Sequence, residues 1–463
     1  MDEQLARDDI DLVRLDREPG GEEDATATVQ LAERVDATWI VADGYRFGSD
    51  YQRSLREAGS KVLVLDDLAR LDRYHADVLL NQNLHAGTDL YPGLDPDTRL
   101  LLGTRYALLR REFAGRPEGA DHSDTGASES KGRGSGRIRL LVSFGGGRTS
   151  HDPLRVVEAL APLLAADDPG LEVVLVAGEA DGRGGGASSV PPGVRQLSGV
   201  RDMASLMADS DLALSAAGST CWELAAMGVP TIVFSIADNQ VKVAQGLADA
   251  GLAIDLGRLD DVQDVSVRDA VAGLSRDVAR RRKMRDSARK LVDGEGSGRV
   301  VMHLLGARLR LRKARPTDAR LLWAWRNEAT VRAQSFSSEA IPWQDHERWY
   351  AARLASPDAE ILIAVDGDDA PIGQVRFDFD DEGDAEISVS LGHEARGRGL
   401  GCELIGLASA RRFVETDARL IHAFIKPENE ASARAFLKAG YEPVGEISRR
   451  GLPALHYARS RPS

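Results

Sequence analysis

Short apolar runs alternate with polar segments along the first part of the chain. Each run is long enough for one buried strand, and one polar segment between them, 50–59, has the pattern of a polar helix. Strands that alternate with helices are typical of a parallel sheet built from βα units. We therefore predict an α/β domain over residues 1–114. Its apolar runs lie at 38–45, 61–69, 76–83 and 99–109.

Residues 115–137 interrupt this pattern, because they are rich in Gly, Ser and charge and contain almost no large apolar side chain. Such a composition predicts a flexible linker. Beyond it, an apolar run at 138–144 leads into three glycines, a second run occupies 171–178, and 211–240 follows the order strand, glycine turn, helix, strand. We predict a second doubly wound α/β domain over 138–305.

The pattern changes again after residue 305. The segment 309–328 predicts a strand, a turn and a helix, and two later strands, at 385–391 and 421–425, are each followed by a helix. We predict a third domain, also α/β, over 306–463. Three domains suit a chain of 463 residues, because one domain takes about 100–200 residues.

The composition narrows the class of protein. Hydrophobic residues make up 43% of the chain and charged residues 29%, as in soluble globular proteins. The longest stretch without a charged side chain, Leu224 to Ala237, is shorter than the roughly 20 residues that a membrane-spanning helix needs. The N-terminal residues are acidic and lack the apolar core of a secretory signal. We expect a cytoplasmic protein without a membrane span.

Charge and cysteine content argue against further classes. The formal net charge of −14 opposes binding to nucleic acid or to an anionic membrane. Two cysteines give no disulfide framework, and the nine histidines show no spacing typical of metal ligands. We expect no metal and no nucleic-acid partner, and the sequence leaves the oligomeric state open.

The turn RGRGLG at 396–401 stands between the strand 385–391 and a helix that begins near Cys402. Glycines allow backbone N–H groups to approach an anion, and the first turn of a helix adds the positive end of its dipole. A glycine-rich turn can also be only a turn, but a second strand-helix unit with Asn429 and Ser432 at its junction lies downstream. We interpret the turn as a pyrophosphate site.

These elements resemble the GCN5-related N-acetyltransferase (GNAT) family, whose members carry [RQ]-x-x-G-x-[GA] after a splayed strand and N-x-x-[SA] before a later helix. The resemblance covers residues 309–459 and implies acetyl-CoA as the cofactor, with its pyrophosphate on the turn and its pantetheine along strand 385–391. The family often has a tyrosine as general acid, and this chain has Phe436 there. The implied cofactor-binding residues are Leu391, Arg396, Gly397, Arg398, Gly399, Leu400, Gly401 and Asn429.

Acetyl transfer to an amine needs a base that removes a proton from the substrate ammonium. Glu386 lies where several family members have a carboxylate that acts through water, and we predict that it is this base; the alternative is a solvated strand residue. The motifs WRN at 325–327 and HxxW at 346–349 resemble the branch that acetylates nucleotide-linked amino sugars, although the tryptophans could equally form helix core. The implied substrate contacts are Trp325, Arg326, Asn327 and His346.

Two further glycine turns follow apolar strands of the second domain, GGG at 145–147 and GST at 218–220. Each could be a structural turn by itself, but two such turns at the carboxyl ends of strands in one sheet suit a diphosphate. A nearby glutamate could accept hydrogen bonds from ribose hydroxyls. The residues concerned are Gly145, Gly146, Gly147, Gly218, Ser219, Thr220 and Glu223.

Several segments between residues 11 and 305 resemble the UDP-2,4-diacetamido-2,4,6-trideoxy-β-L-altropyranose hydrolases of pseudaminic acid synthesis; they are VADGY, LDDLA, LLNQN, SFGGG, STCWELAAMGVPTIVF and ADNQ. This family has two Rossmann-like halves, the glycosyltransferase-B architecture, and cleaves the anomeric C1–O bond with water and without metal. The resemblance implies that Tyr45 and Asn239 face the sugar, that Gly218, Ser219, Thr220 and Glu223 hold UDP and that 145–147 line the cleft.

The family's N-terminal G-x-G-H-x-x-R turn, which carries its presumed catalytic histidine, has no counterpart in this sequence. We therefore expect an incomplete first domain, and a chain that binds UDP through Gly218 to Glu223 of the second domain but hydrolyses the UDP-sugar poorly or not at all. We interpret the chain as a bifunctional sugar-nucleotide enzyme, in which the third domain acetylates the 4-amino group of a UDP-linked amino sugar and the first two release UDP from the diacetamido product. Two alternatives stay open: a noncatalytic UDP-sugar-binding module, or a protein N-terminal acetyltransferase.

Two other features have plainer interpretations. Cys221 and Cys402 lie near helix N-termini, where the pKa of a thiol can fall, but we favour packing as small apolar side chains. Asp66 and Asp67 could form an acid/base pair, but we favour a strand end and a helix cap.

Overall fold

A computed structural model of the chain describes Leu5 and residues 10–114, 137–145, 153–166, 170–176, 190–380 and 383–461. The chain divides into two compact units, unit 1 up to Val300 and unit 2 from Val301. Apart from Arg137, the predicted linker lies outside the described residues. Within the described ranges, no helix combines the length and the apolar character that crossing a bilayer requires.

Among its described residues, the first half of unit 1 is a four-stranded parallel sheet with two α-helices. Its elements are α1 (Glu22–Arg34), β1 (Trp39–Asp43), α2 (Ser49–Glu57), β2 (Lys61–Leu65), β3 (Val78–Asn81) and β4 (Arg99–Leu102). The strands lie in the order β1-β2-β3-β4, so the predicted parallel sheet is confirmed. Sequence reasoning missed α1, because its sequence EEDATATVQLAER contains few large apolar side chains.

The second half of unit 1 is a six-stranded parallel sheet. Two of its strands, 212–216 and 231–235, are buried at every residue. Its strands are β5 (Ile138–Ser143), β6 (Leu171–Val176), β7 (Val194–Leu197), β8 (Leu212–Ala216), β9 (Thr231–Ser235) and β10 (Ala253–Arg258). They lie in the order β10-β9-β8-β5-β6-β7. Burial on both faces is what a parallel sheet covered by helices requires.

Eight helices belong to this half among the described residues. They are α3 (Leu154–Ala159), α4 (Ala161–Ala166), α5 (Met203–Ala208), α6 (Thr220–Met227), α7 (Asp238–Asp249), α8 (Asp264–Arg276), α9 (Val278–Leu291) and α10 (Gly296–Leu305), within which the boundary at Val300 falls. The apolar segment from Pro153 forms two short helices, because Pro162 has no N–H to continue the ladder.

Hydrogen bonds join the two halves of unit 1. Thr104 Oγ1 donates to the carbonyl of Leu291 at 3.1 Å, and Arg299 Nη1 donates to the carbonyl of Arg105 at 2.7 Å. The residues that follow β4 therefore contact α9 and the start of α10, which fixes the first half against the second.

The described part of unit 2 has a seven-stranded mixed sheet with five α-helices from Val301 onward. Its strands are β11 (Arg310–Lys313), β12 (Ala359–Val365), β13 (Pro371–Phe379), β14 (Ala385–Leu391), β15 (Leu420–Ile425), β16 (Glu442–Arg449) and β17 (Leu452–Ser460), in the order β11-β12-β13-β14-β15-β17-β16. Its helices are α11 (Ala319–Asn327), α12 (Ala329–Gln334), α13 (Trp343–Leu354), α14 (Leu400–Glu415) and α15 (Glu430–Lys438).

The sheet of unit 2 opens between β14 and β15. These two parallel strands pair only at Ala385 with Ile421 and at Glu386 with His422. Beyond that point the backbone of 387–391 has no partner strand on this side, while β13 continues to pair along the other side. One face of the open sheet packs against α14 and α15 in the core, and the other carries polar residues.

Candidate functional site

The turn at 396–401 connects the free edge of β14 to α14. Gly397 and Gly399 adopt φ values of +73° and +74°, a left-handed conformation that favours glycine. A Cβ at Gly397 would meet nothing within 4 Å, so space for a ligand adjoins the backbone. Together with the N-terminus of a 16-residue helix, this open backbone fits the pyrophosphate of acetyl-CoA.

Arg308, which sequence reasoning missed, holds the turn at 396–401 in place through hydrogen bonds. Arg308 Nη1 donates to the carbonyl of Arg398 at 3.0 Å, and its backbone N–H and Nε donate to the carboxylate of Glu403. Arg308 precedes β11 by two residues and no motif singles it out. It therefore acts as a positioning residue for the turn.

The side chain of Arg396 also faces the protein. Its Nε donates to the carbonyl of Leu391 at 2.9 Å, and its Nη2 donates to the carboxylate of Glu328 at 2.6 Å. Asn429 uses its Oδ1 to accept from the N–H of Ser432 at 3.1 Å, which caps α15. The structure thus brings the predicted cofactor residues to one end of the open sheet, while their contact with acetyl-CoA remains a prediction.

A cavity of about 430 Å³ lies against the polar face of this sheet. On one side it is lined by β14 from Glu386 to Ser390, and on the other by β15 and the connection between α11 and α13. Glu386 lies at the point where β14 and β15 separate, and both of its carboxylate oxygens accept from Arg449 Nη2 at 2.6 Å. The predicted base therefore lines the cavity as one member of an ion pair.

Phe436 lines the same cavity and confirms that no hydroxyl stands at this position. Its ring packs edge-on against Tyr441, with centroids 4.9 Å apart. The hydroxyl of Tyr441 lies 2.8 Å from that of Ser409 inside the core, and burial raises its pKa. Tyr441 therefore cannot take the place of the tyrosine that the family often has.

The residues of the WRN and HxxW motifs have different environments. Trp325 is 7% exposed and packs under Gly392, where a Cβ would come within 3.1 Å of the indole. Asn327 bonds through both side-chain atoms to the backbone of Ile341, at 3.0 and 2.8 Å. Neither lines the cavity, so the structure does not place these two predicted substrate residues at the site.

His346 and Arg326 do line the cavity. His346 is 3% exposed, its Nε2 lies 3.1 Å from the carbonyl of Ala319, and burial lowers the pKa of its ring. It therefore forms part of the packed wall. Arg326 donates through Nη2 to the carbonyl of Ser337 at 2.7 Å.

In unit 1 the two predicted glycine turns converge. Gly145 has φ +90°, and a Cβ there would lie 3.1 Å from Thr220 Oγ1 at the start of α6. A Cβ at Gly218 would lie 3.6 Å from Nε2 of Gln240, near the start of α7. The carboxyl ends of β5 and β8 and the starts of two helices thus share one edge of the sheet, whereas Gly146 and Gly147 lie outside the described residues.

Glu223 has a partner from the first half. Arg110 Nη2 lies 3.3 Å from its carboxylate, and burial raises the pKa of Glu223 while the charge of Arg110 opposes this change. The carboxylate that we predicted to bind ribose is therefore already in contact with a cation. Ser219, directly before α6, makes no side-chain capping bond.

Tyr45 and Asn239, 194 residues apart, meet directly in unit 1. Asn239 Nδ2 donates to the hydroxyl of Tyr45 at 3.1 Å, and that hydroxyl donates to Asp67 Oδ2 at 2.9 Å. Burial, followed by the hydrogen bond to Asp67, raises the pKa of Tyr45. The two residues share one site, as the resemblance implied, and Asp67 is an additional member.

Asp66, the carboxylate next to Asp67, has a structural role. Asp66 accepts hydrogen bonds from the hydroxyls of Tyr74 and Tyr91 at 3.1 and 2.9 Å and from the N–H of Ala69. Asp66 lies at the end of β2, as favoured from the sequence, but it caps a turn, so the predicted helix cap is wrong. It does not form an acid/base pair with Asp67. Cys221 is 3% exposed and burial raises the pKa of its thiol to about 12, which agrees with packing as a small side chain.

In a comparison with known proteins, two separate ranges of the chain match two different protein families. Residues 308–442 match the acetyltransferase (GNAT) domain, and residues 141–288 match the glycosyltransferase family 28 C-terminal domain. The spore coat polysaccharide biosynthesis protein SpsG of Bacillus subtilis is 33% identical over 110 residues, which are 24% of this chain and 32% of that protein. The uncharacterised protein MJ1062 of Methanocaldococcus jannaschii is 19% identical over 423 residues, 87% of this chain and 81% of that protein.

Two solved structures are similar to about a third of the chain. Aminoglycoside acetyltransferase AAC(6')-Ib with ribostamycin and coenzyme A is 23% identical, with a TM-score of 0.31 over 33% of this chain and 94% of that one. Spermidine N-acetyltransferase from Vibrio cholerae with CoA and spermine is 17% identical, with a TM-score of 0.32 over 34% and 96%.

The two family matches, at 141–288 and 308–442, agree with the α/β fold class predicted for these parts of the chain. The match at 308–442 confirms acetyl-CoA as the cofactor of unit 2. The chain combines a glycosyltransferase-B-like pair of parallel sheets, whose second half contains a glycosyltransferase family 28 C-terminal domain, with a GNAT acetyltransferase domain.

Proposed function

We propose that the chain acetylates the amino group of a UDP-linked amino sugar in unit 2 and releases UDP from the acetylated product in unit 1. The observation that carries the proposal is the meeting of Tyr45 and Asn239 in unit 1, beside two glycine turns, in a chain that also contains an acetyltransferase domain. A diacetamido sugar of the pseudaminic acid type is the specific substrate that the sequence resemblance favours. We further propose that the protein acts in the cytoplasm.

Acetyl-CoA supplies the acetyl group. In the transfer, the amine nitrogen bonds to the acetyl carbon, the C–S bond breaks and the ammonium loses a proton. Glu386 lies at the opening between β14 and β15 and is our proposed acceptor of that proton, directly or through water. Because Phe436 offers no hydroxyl, the sulfur leaves as a thiolate, which a parent pKa near ~8.5 allows.

The open edge of β14 supports a position for the pantetheine arm. Residues 387–391 keep β13 on one side and lack a strand partner on the other, so their backbone groups are available to an extended ligand. The turn that follows supplies N–H groups to the pyrophosphate. Arg308 and Arg396 support both proposals, because their hydrogen bonds hold the turn in place.

In unit 1, water attacks C1 of the sugar, the C1–O bond breaks and its electron pair leaves with UDP, while the attacking water loses a proton to the solvent. Tyr45 is suited to orient the sugar, because Asn239 and Asp67 fix its hydroxyl from two sides. A phenol whose pKa is raised is a weak base at neutral pH, so Tyr45 is an orienting group rather than the base. SpsG, named for polysaccharide biosynthesis, supports a sugar-related task.

The test uses the purified chain with acetyl-CoA and a UDP-linked 4-amino sugar, with free thiol and free UDP followed in parallel. We expect thiol release first and UDP release afterwards, because the proposed hydrolysis acts on the acetylated product. Thiol release without any UDP release would favour the binding-module alternative. Acetylation of peptide N-termini instead of the sugar would overturn the proposal.

A further inference from the structure

We propose that the cavity of unit 2 contains a subsite for the phosphate groups of the acceptor, built around Arg326. The inference rests on the proposed acetylation of a nucleotide-linked amino sugar and identifies the side chains that recognise its charge. It predicts an acceptor that carries anionic groups beside its amine.

The first observation is the charge of the cavity wall. Among the described residues that line the cavity, five carry a positive charge and one a negative charge. The single carboxylate, that of Glu386, is already bound by Arg449 at 2.6 Å. The cations are Arg326, Arg376, Lys426, Arg449 and Arg450.

The second observation is the state of Arg326 itself. Its Nη2 bonds to a backbone carbonyl, its Nη1 is buried with no hydrogen-bond acceptor, and no carboxylate among the described residues pairs with it. Burial lowers the pKa of Arg326, and the charges of Arg332 and Arg376 lower it further. A partly desolvated guanidinium beside like charges is unfavourable until an anion lies near it.

The third observation separates this subsite from the donor. The cavity also contains donor residues, because Asn429 and the edge of β14 line it, but the turn at 396–401 that we assign to the pyrophosphate of acetyl-CoA does not. Arg326 belongs instead to the wall formed at the connection between α11 and α13, where it bonds to Ser337. The cations at Arg376 and Arg449 lie on the same sheet face as Glu386, where the acceptor amine must approach. Planar guanidinium groups bind phosphate through paired hydrogen bonds, whereas a polyamine would be repelled here.

The experiment compares two acceptors with the full chain: the UDP-linked 4-amino sugar and the methyl glycoside of the same amino sugar. In Arg326→Gln we expect KM for the UDP-linked acceptor to rise about 10- to 100-fold, the range for a charged hydrogen bond, with a much smaller change in kcat/KM for the glycoside. Arg326→Lys should keep part of the affinity. Raising the salt concentration should increase KM only for the UDP-linked acceptor.

Arg348→Gln is the matched control, because Arg348 is 81% exposed and pairs with Asp345 on its own helix outside the cavity. An equal loss for both acceptors in Arg326→Gln would show that Arg326 only supports the loop at Ser337, and a change confined to KM for acetyl-CoA would assign the subsite to the donor. Either result overturns the inference. Equal kcat/KM for both acceptors in the wild type also overturns the phosphate subsite, but it leaves the proposed function standing. Acetylation of a peptide or a polyamine alone overturns both the subsite and the proposed function.

Discussion

Unit 1 and unit 2 differ in how the polar groups of their candidate sites are satisfied. In unit 1, the hydroxyl of Tyr45 bonds to both Asp67 and Asn239, so a ligand has to exchange existing hydrogen bonds for its own. In unit 2, Arg326 has a buried N–H group without an acceptor beside an excess of positive charge. The difference implies that a ligand relieves an unfavourable state in unit 2 and replaces a favourable one in unit 1.

The sheets account for this difference. Unit 1 presents the carboxyl ends of parallel strands, and residues from both halves meet across that edge. Unit 2 opens its sheet between β14 and β15, which exposes a backbone edge and a polar face at the same place. The ion pairs of the cavity wall, Glu386 with Arg449 and Arg376 with Asp378, are the part of the unit 2 cavity that most resembles the paired groups of unit 1.

Breaking the ion pair of Glu386 with Arg449 should produce the largest effect. Glu386→Gln keeps the shape of the side chain but removes the proposed base, so kcat for acetyl transfer should fall about 10²- to 10⁴-fold with acetyl-CoA affinity nearly intact. The deficit should shrink at high pH, where the amine has already lost its proton. A stopped assay of thiol release across pH measures it, with Glu415→Gln on α14 as control. Wild-type turnover at every pH would remove Glu386 from the mechanism.

The donor turn provides the next test. In Gly399→Val a β-branched residue must adopt φ +74°, and its side chain occupies space beside the backbone, so acetyl-CoA affinity measured by calorimetry should fall about 100-fold or more. Gly451→Val is the matched control, because Gly451 has φ +78° and open space in the hairpin between β16 and β17. Both variants should lose similar stability. Equal affinity in the two variants would separate the turn from acetyl-CoA binding.

Loss of one side-chain group in unit 1 should lower the rate of its reaction less than in unit 2. Tyr45→Phe removes the hydroxyl between Asn239 and Asp67 but leaves two polar groups that can bond to the ligand, so UDP release should slow about tenfold. Tyr51→Phe is a suitable control, because its hydroxyl lies beside Thr28, outside the site. The rate of UDP release from the acetylated UDP-sugar is the measurement. A loss as large as that of Glu386→Gln in unit 2 would show that Tyr45 is more than an orienting group.

Local sequence patterns predicted the elements better than the contacts. The apolar runs of unit 1 each form a strand because parallel strands are buried on both faces, and the turn at 396–401 is recognisable because its glycines need positive φ. The pair of Glu386 with Arg449 could not be predicted, because it joins residues 63 positions apart on strands that no local pattern aligns. Asp67 was assigned to a cap for the same reason: its partner Tyr45 belongs to another loop.

The smallest effect concerns the electrostatic link between the halves of unit 1. Burial lowers the pKa of His85 in the first half, the charge of Lys242 on α7 lowers it further, and Asp67 opposes both. Folding therefore favours neutral His85, so its contribution to stability is present above pH 6.5, the ordinary value, and is lost as the pH falls below it. Lys242→Gln should raise the pKa of His85, and Asp67→Asn should lower it.

NMR titration of the ring signals measures this pKa, with the His85 signal assigned by its loss in His85→Gln. Lys283→Gln serves as the control, because it removes the same charge from an exposed position on α9. The expected order of the pKa of His85 is Lys242→Gln highest, wild type and Lys283→Gln equal, and Asp67→Asn lowest. An unchanged pKa of His85 in Lys242→Gln would mean that, in solution, the two halves of unit 1 do not stay in the arrangement in which Asn239 bonds to Tyr45. The polar groups of the unit 1 site would then not be satisfied in the way that distinguishes this site from that of unit 2.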